Sequence, residues 1–153
     1  MEAPEFNARN VNPLADSLLF DLVSSTQAGD EEQVRRLLSL GVRPDLIEHQ
    51  SGWSALHASV LHNPSLLPVL LEHTATPDLP KVMGGTALSY VVHELAEHPD
   101  ADRKSQLLEA MDVLLRAGAE PGGGEAGQSP FTLARIYGLR DVEEVFVAHH
   151  GKR

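Results

Sequence analysis

The chain has 153 residues, of which 42% are hydrophobic and 22% are charged, and its formal net charge is −10. This length and composition indicate one folded domain, since disordered chains have fewer apolar residues. The absence of cysteine excludes disulfides, thiol catalysis and thiolate metal ligands. The acidic balance disfavours nucleic acid, because a negative surface repels phosphate and the densest basic stretches are short and scattered.

The sequence also lacks the marks of a membrane or secreted protein. No apolar run approaches the ~20 residues that a bilayer-spanning helix requires. Residues 1–11 contain neither the basic nor the apolar region of a secretory signal, so we expect a flexible lead-in there. We expect a cytoplasmic monomer that does not associate with membranes.

The first two predicted helices form a pair. Asn12-Pro13 predicts a helix start, because Asn can cap the free amides and Pro suits the first helical position. Apolar residues then recur at helical spacing as far as Gly29-Asp30, which ends this helix and opens the next. In the second helix Glu31 and Arg35 stand four residues apart, a spacing at which opposite charges pair on one face.

Three more helix pairs are predicted in chain order, each after a glycine turn. Asn63-Pro64 breaks the first of these pairs between its two helices. The predicted helices of the two middle pairs cover residues 55–62, 65–73, 87–97 and 103–116. Polar residues give the last helix the polar outer face that a terminal unit needs, namely Glu143, Glu144, His149 and His150.

A pair of leucines followed by a similar tail occurs three times, at 37–38, 70–71 and 114–115. The first step is 33 residues, from 37 to 70, and the second is 44, from 70 to 114. An internal period of this size indicates one supersecondary unit stacked on copies of itself. The 11 additional residues are placed in the polar stretch 97–106, as a tolerated surface loop or, alternatively, as a functional insertion.

A second motif alternates with the first, at Gly52–Ser59, Gly84–Val91 and Gly127–Ala134. Each copy reads Gly, any residue, a hydroxyl residue, Ala or Pro, then a large apolar residue. The two motifs in this order resemble the ankyrin repeat over about residues 16–150. The resemblance implies an all-α solenoid of stacked helix–turn–helix units with short β-turn fingers. The implied repeats are 12–47, 48–80, 81–123 and 124–150, with the terminal ones as caps and 151–153 as a tail.

The chain departs from the family pattern at several positions. Thr74 stands where the family prefers Gly, and a left-handed conformation there would cost a β-branched residue about 1 kcal/mol or more unless the turn is rebuilt. Ser89 and Thr132 replace the histidine of the family motif, and the Asp that usually opens each finger is missing. We therefore expect weaker hydrogen bonding between fingers and less regular middle turns.

The resemblance gives His57 a structural role, since ankyrin repeats use this histidine to hydrogen-bond backbone across neighbouring turns. No partner serine or cysteine in a recognisable arrangement accompanies His57 as a catalytic base. The hydroxyl residues of the three motif copies can cap the helices that follow them, namely Ser54, Thr86 and Ser129.

A metal- or small-ligand-binding enzyme is the alternative hypothesis. His93 with Glu97, and Glu94 with His98, are four residues apart on one predicted helix, which can place two metal ligands on one face. A solvated helix end that contains histidines explains the same pattern. We therefore expect no metal, no cofactor and no catalytic residues.

Binding is better supported, since partners of ankyrin stacks dock on the concave surface formed by the finger tips and the outward side of the first helices. Trp53 is the strongest candidate. It is the only tryptophan in the sequence and stands between Gly52 and Ser54, so its side chain should project from a finger and serve as an interface anchor. The alternative is that it folds back on the neighbouring turn. Transferred to this chain, the partner-binding positions are Gln50, Trp53, Leu61, His62, Val82, Met83, His93, Glu94, Glu125, Gln128, Ile136 and Tyr137.

The sequence therefore predicts a non-catalytic module that binds another protein through its concave finger side. An acidic inhibitor or immunity protein that neutralises a basic toxin would suit the net charge of −10. A regulatory scaffold for an enzyme or transporter fits equally well. Self-association into an architectural assembly is a third alternative.

Overall fold

The computed structural model describes residues 13–74, 76–78 and 80–151. The expected lead-in at 1–11, the Asn12 cap and the last two residues of the expected tail lie outside this part of the chain. Within it the protein is all-α, as predicted, with one isolated antiparallel bridge, and no helix there is both long and apolar enough to cross a bilayer. The helices are α1 (Pro13–Ala28), α2 (Glu31–Ser39), α3 (Ala55–His62), α4 (Leu67–Leu71), α5 (Ala87–Ala96), α6 (Ala101–Arg116), α7 (Pro130–Ile136) and α8 (Arg140–Gly151).

The helices pack as four successive pairs. Helix α1 contacts α2, α3 contacts α4, α5 contacts α6, and α7 contacts α8. The first helices also pack in order, α1 on α3, α3 on α5 and α5 on α7, so that each pair covers the next. The repeated leucine pairs belong to one contiguous core that extends from Leu22 of α1 to Phe146 of α8. Burial of this apolar surface is the main stabilising contribution to the fold.

The predicted hydroxyl caps fix where the first helices begin. Ser54, Thr86 and Ser129 each accept a hydrogen bond from the backbone N–H three residues further on. Helices α3, α5 and α7 therefore start directly after these residues. An N-cap of this kind contributes about 1 kcal/mol, which explains why the sequence motif locates the helix starts so well.

The second helices of the two middle pairs differ in length. Helix α4 has only five residues and follows a 3-10 turn, Pro64–Leu66, so the predicted helix 65–73 is only partly α-helical. Helix α6 has 16 residues and begins one residue after its cap, Asp100. Most of the additional residues therefore lengthen α6, and the expected surface loop is reduced to residues 97–100.

Arg103, in the added part of α6, joins this helix to α3. Its Nη2 atom lies 3.0 Å from the carbonyl oxygens of Val60 and Leu61 and 3.0 Å from Oε1 of Glu94. Carbonyls in the last turn of a helix lack intrahelical partners, and Arg103 supplies donors to two of them. The insertion thus contributes to packing between units.

The turns that follow the second helices use glycine where the sequence has it. Gly41 and Gly118 have φ values of 96° and 104°, in the left-handed region that glycine enters without steric cost. Thr74 does not adopt a positive φ, so the cost of a left-handed threonine does not arise. Its Oγ1 donates to the carbonyl of Leu70 at 2.8 Å, a bond that glycine could not make.

The outer face of α8 is not as polar as expected for a terminal unit. Glu144 is exposed, but Val145 and Val147 are exposed as well, Val147 by 58%. Val142 and Phe146, four residues apart, point inwards and close the core. The helical period then leaves the other two valines on the outside, so the end of the stack has a mixed polar and apolar surface.

Candidate functional site

Four rings from three successive units form a continuous row, which we call the aromatic row: Trp53, Tyr90, His93 and Tyr137. The ring centroid of Tyr90 lies 5.6 Å from that of Trp53 and 5.7 Å from that of His93. The His93 and Tyr137 centroids are 5.6 Å apart, and the Tyr137 hydroxyl lies 2.8 Å from Nδ1 of His93. Edge-to-face contacts of this kind are favourable for aromatic pairs. The row connects the turn before α3 with α5 and with the end of α7.

Tyr90 attaches the row to the turn beneath it. Its hydroxyl donates to the carbonyl of Val82 at 2.9 Å, and its ring lies edge-on to His57 at 5.1 Å. A Cβ atom on Gly85 would come within 3.0 Å of the Tyr90 ring, so the glycine permits this close approach. Burial raises the pKa of Tyr90, which keeps the hydroxyl protonated and able to donate.

Trp53 folds back on the neighbouring unit and does not project freely. It is only partly exposed, with its ring against Tyr90 and 6.5 Å from the ring of His57. Of the two alternatives that the sequence left open, the structure favours the second. Trp53 retains some accessible surface, so it can contribute to a contact as part of the aromatic row.

The two residues expected to extend an apolar patch differ in exposure. Val82 is only 5% exposed, and its N–H and carbonyl both pair with Gly85, so its prediction as a contact residue is wrong. Met83 is 87% exposed. Met83 and Gly84 have φ values of 50° and 83°, as the two central residues of a type I′ turn require. Met83 therefore stands at the tip of this turn.

The remaining positions predicted around α3 and α5 do not gather at one place. Gln50 is exposed in the turn before α3, whereas His62 and the partly exposed Leu61 lie at the opposite end of that helix. The carbonyl of Leu61 accepts from Arg103. Glu94 forms an ion pair with the same arginine at 3.0 Å. Leu61 and Glu94 thus surround the Arg103 contact, away from the turn tips.

Glu125 and Gln128 lie in the turn before α7, which packs against the Met83 turn. The N–H of Glu125 donates to the carbonyl of Gly84 at 2.9 Å. The carbonyl of Gln128 accepts from Oγ of Ser89 at 2.7 Å. The Glu125 side chain is exposed and that of Gln128 is partly buried, so these residues join consecutive turns and only the first presents its side chain to solvent.

His57 lies beneath the aromatic row and is fully buried. Its Nε2 lies 3.1 Å from the carbonyl of Gly85, and its Nδ1 lies 2.7 Å from Oγ of Ser54. Because a carbonyl can only accept, Nε2 carries the proton and the serine hydroxyl donates to Nδ1. The backbone contact across turns predicted for His57 is confirmed. Burial lowers the pKa of His57 to about 4, although the bond to Gly85 opposes the shift.

His57 has a serine partner, contrary to the prediction that it has none. Hydrogen-bonded Ser and His side chains are the basis of nucleophilic catalysis. Here both residues are 0% exposed, and Oγ of Ser54 also accepts the backbone N–H of His57 at 3.2 Å. A substrate cannot reach this hydroxyl, so the pair acts as a helix cap and a link between turns.

In the third unit Ser89 makes the contact with the next turn that His57 makes in the second unit. Its hydroxyl donates to Gln128, which follows the motif glycine as Gly85 does. Ser89 and Thr86 also form a reciprocal capping box at the start of α5. The expected weakening of turn-to-turn hydrogen bonding is therefore wrong at this junction.

Glu48 forms hydrogen bonds within the turn before α3. Its buried carboxylate accepts the N–H groups of Gln50 and Ser51, each at 2.8 Å. Burial alone would raise the pKa of Glu48, but these hydrogen bonds bring it below the ordinary value. These bonds hold one turn together and do not join neighbouring fingers.

Tyr90 was missed as a candidate site residue although it joins the aromatic row. It is one of two tyrosines in the chain. It also stands three residues before His93 on a predicted helix, a spacing at which side chains share a face. These two signals could have identified it.

One of the two ligand pairs of the metal alternative, Glu94 with His98, lacks the helical spacing that was assumed for it. The described residues contain no group of three or more His, Cys, Asp or Glu side chains placed to hold a metal ion. Helix α5 ends at Ala96 and His98 has a φ of 56°, so Glu94 and His98 do not share a helical face. His93 is hydrogen-bonded to Tyr137.

No family model matches the chain, and no curated protein matches it. We take the aromatic row and the exposed Met83 turn beside it as the candidate functional site. They bring together Trp53, Met83, His93 and Tyr137 from the predicted set, and they leave out Val82, Leu61 and His62.

Proposed function

We propose that the chain is an ankyrin-repeat protein that binds a partner protein and catalyses no reaction. Four helix pairs, each with its first helix packed on the next, support this proposal. Hydrogen bonds that join consecutive turns from equivalent motif positions, His57 to Gly85 and Ser89 to Gln128, support it further. The aromatic row carries the functional part of the proposal, since it runs across the first helices and their turns, where partners of ankyrin stacks dock.

The proposed contact is apolar. The candidate face consists of the aromatic row with Met83 and Ile136, which are 87% and 67% exposed. Exposed apolar side chains beside aromatic rings are typical of interface anchors. None of these residues carries a carboxylate, so a regulatory scaffold fits this face better than an acidic inhibitor, and we expect partner binding to depend only weakly on salt. A steep loss of binding with salt would indicate a basic target instead.

The test is affinity capture from a lysate of the cells that produce the protein, with two charge-matched variants. Met83→Glu places a carboxylate on the candidate face, whereas Val147→Glu places one on an exposed position of α8. We expect one partner protein to be retained by the wild type and by Val147→Glu, and its affinity to fall about tenfold or more with Met83→Glu. Equal retention by both variants, or no specifically retained protein, would contradict the proposal.

A further inference from the structure

A cleft of about 560 Å³ lies between the α5–α6 connection and the α7–α8 turn, and it shares no residue with the candidate face. The inserted stretch that lengthens α6 forms one wall through His98 and Lys104. The other wall is the start of α8, with Arg140 and Asp141. The residues that distinguish this unit from its neighbours thus line a cavity.

The charged groups of the cleft are mostly basic in a protein whose net charge is −10. Lys104, Arg140 and His98 face a single carboxylate, Asp141. The described part of the chain offers neither Lys104 nor Arg140 an ion-pair partner, whereas Arg35, Arg43, Arg103, Arg116 and Arg135 each have one. The two cations of the cleft are therefore available to an anion from solution.

Apolar side chains line the rest of the cleft. Leu95 and Val142 are buried in the core beneath it, and Leu139 is partly buried against that core. Leu108 is 37% exposed. Ligand sites usually combine such apolar walls with a few converging polar groups.

We propose that this cleft binds a small molecule in which an oxyanion, carboxylate or phosphate, is attached to an apolar group. Lys104 and Arg140 hold the oxyanion through charge-assisted hydrogen bonds, and Leu95, Leu108 and Leu139 contact the apolar group. The two unpaired cations complement the charge of the oxyanion, and the apolar walls complement the apolar group. It is independent of the proposed partner protein, so either proposal can fail without the other.

Three eight-carbon probes test the cleft: octanoate, monooctyl phosphate and neutral octanol, each followed by amide chemical shifts of the full chain. We expect at least one of the two anions to give saturable shifts at residues 98, 104 and 139–142, and to bind about tenfold or more tightly than octanol. Octanoate as the tighter ligand would identify a carboxylate, and monooctyl phosphate a phosphate. Absence of saturable shifts at the cleft, or equal binding of octanol, would overturn the proposal.

A pair of double variants tests whether Lys104 and Arg140 bind the oxyanion. Lys104→Gln with Arg140→Gln removes the two cations of the cleft, and Lys81→Gln with Arg36→Gln removes two exposed cations elsewhere. We expect the first variant to weaken binding of the anionic probe about tenfold or more and the second to leave it unchanged. Because these side chains are exposed, both variants should fold, which their amide spectra will verify. Equal affinity in the two variants would contradict the assignment.

Discussion

The junctions on the two sides of the third unit make the same kind of side-chain-to-backbone hydrogen bond with different side chains. At the first junction His57 reaches the carbonyl of Gly85, and at the second Ser89 reaches that of Gln128. The histidine also fills a fully buried space and packs on Tyr90, whereas the serine contributes little volume. The first junction therefore combines core packing, hydrogen bonding and a titratable group. At the second junction the Ser89 side chain supplies the hydrogen bond without the core packing or the titratable group.

The largest loss of stability is expected from removing the His57 side chain at the first junction. His57→Ala leaves a cavity beneath Tyr90 and deprives both Ser54 and the Gly85 carbonyl of a partner. We expect the free energy of unfolding to fall by about 3 kcal/mol, measured by urea denaturation at neutral pH. His73→Ala, at an exposed histidine, is the control and should change stability by less than about 0.5 kcal/mol. Similar losses in both variants would show that the junction is not important for stability.

A pH titration distinguishes the two side chains, because His57 is ionisable and Ser89 is not. The pKa of His57 is lowered to about 4 from 6.5, so the unfolded chain binds the proton more tightly. Stability is fully present above pH 6.5 and is lost as the pH falls towards 4. Between pH 7 and pH 5 we expect a loss of about 2 kcal/mol. The lowered pKa of Glu48 acts in the same direction, but only below its unfolded value of 4.5.

The control for this titration is His57→Ala, in which the decline between pH 7 and pH 5 should be much smaller. Urea denaturation at the two pH values measures it. An equally steep decline in the variant would mean that other histidines are responsible.

The smallest loss of stability is expected from removing the Ser89 hydroxyl at the second junction. Ser89→Ala removes the bond to Gln128 and one half of the capping box, and we expect a loss of about 1 kcal/mol. This loss should be the same at pH 7 and pH 5, since no titrating group is involved. A loss as large as that of His57→Ala would show that the hydrogen bond, and not the volume of the ring, stabilises the first junction.

The features predicted correctly from the sequence are those that neighbouring residues determine. The start of α3 after Ser54 and the turn at Gly41 depend on one hydroxyl and one glycine, so the local motif is sufficient. Trp53 could not be placed in this way, because its ring packs on Tyr90 of the next unit. This contact is made between units, and its geometry follows from packing.

The contacts of Arg103 also join residues that are far apart in the sequence and close together in the structure. The carbonyls of Val60 and Leu61 lie more than 40 residues before it in the chain, and no local pattern links them to the polar stretch in which the arginine occurs. Ser89 presents the same difficulty. Its bond to Gln128 replaces a histidine by a shorter side chain, which works only because the two turns lie close together.

The contact between Arg103 and the end of α3 has a consequence for the order in which the molecule loses structure. In a stacked array each unit contacts only its neighbours, so the weakest interface allows one end to open while the other stays folded. The Arg103 guanidinium of the third unit bonds two carbonyls of the second unit and Glu94 of its own unit, which makes separation at that interface costly. The two middle units should therefore open together, and partial unfolding should begin at the outer pairs.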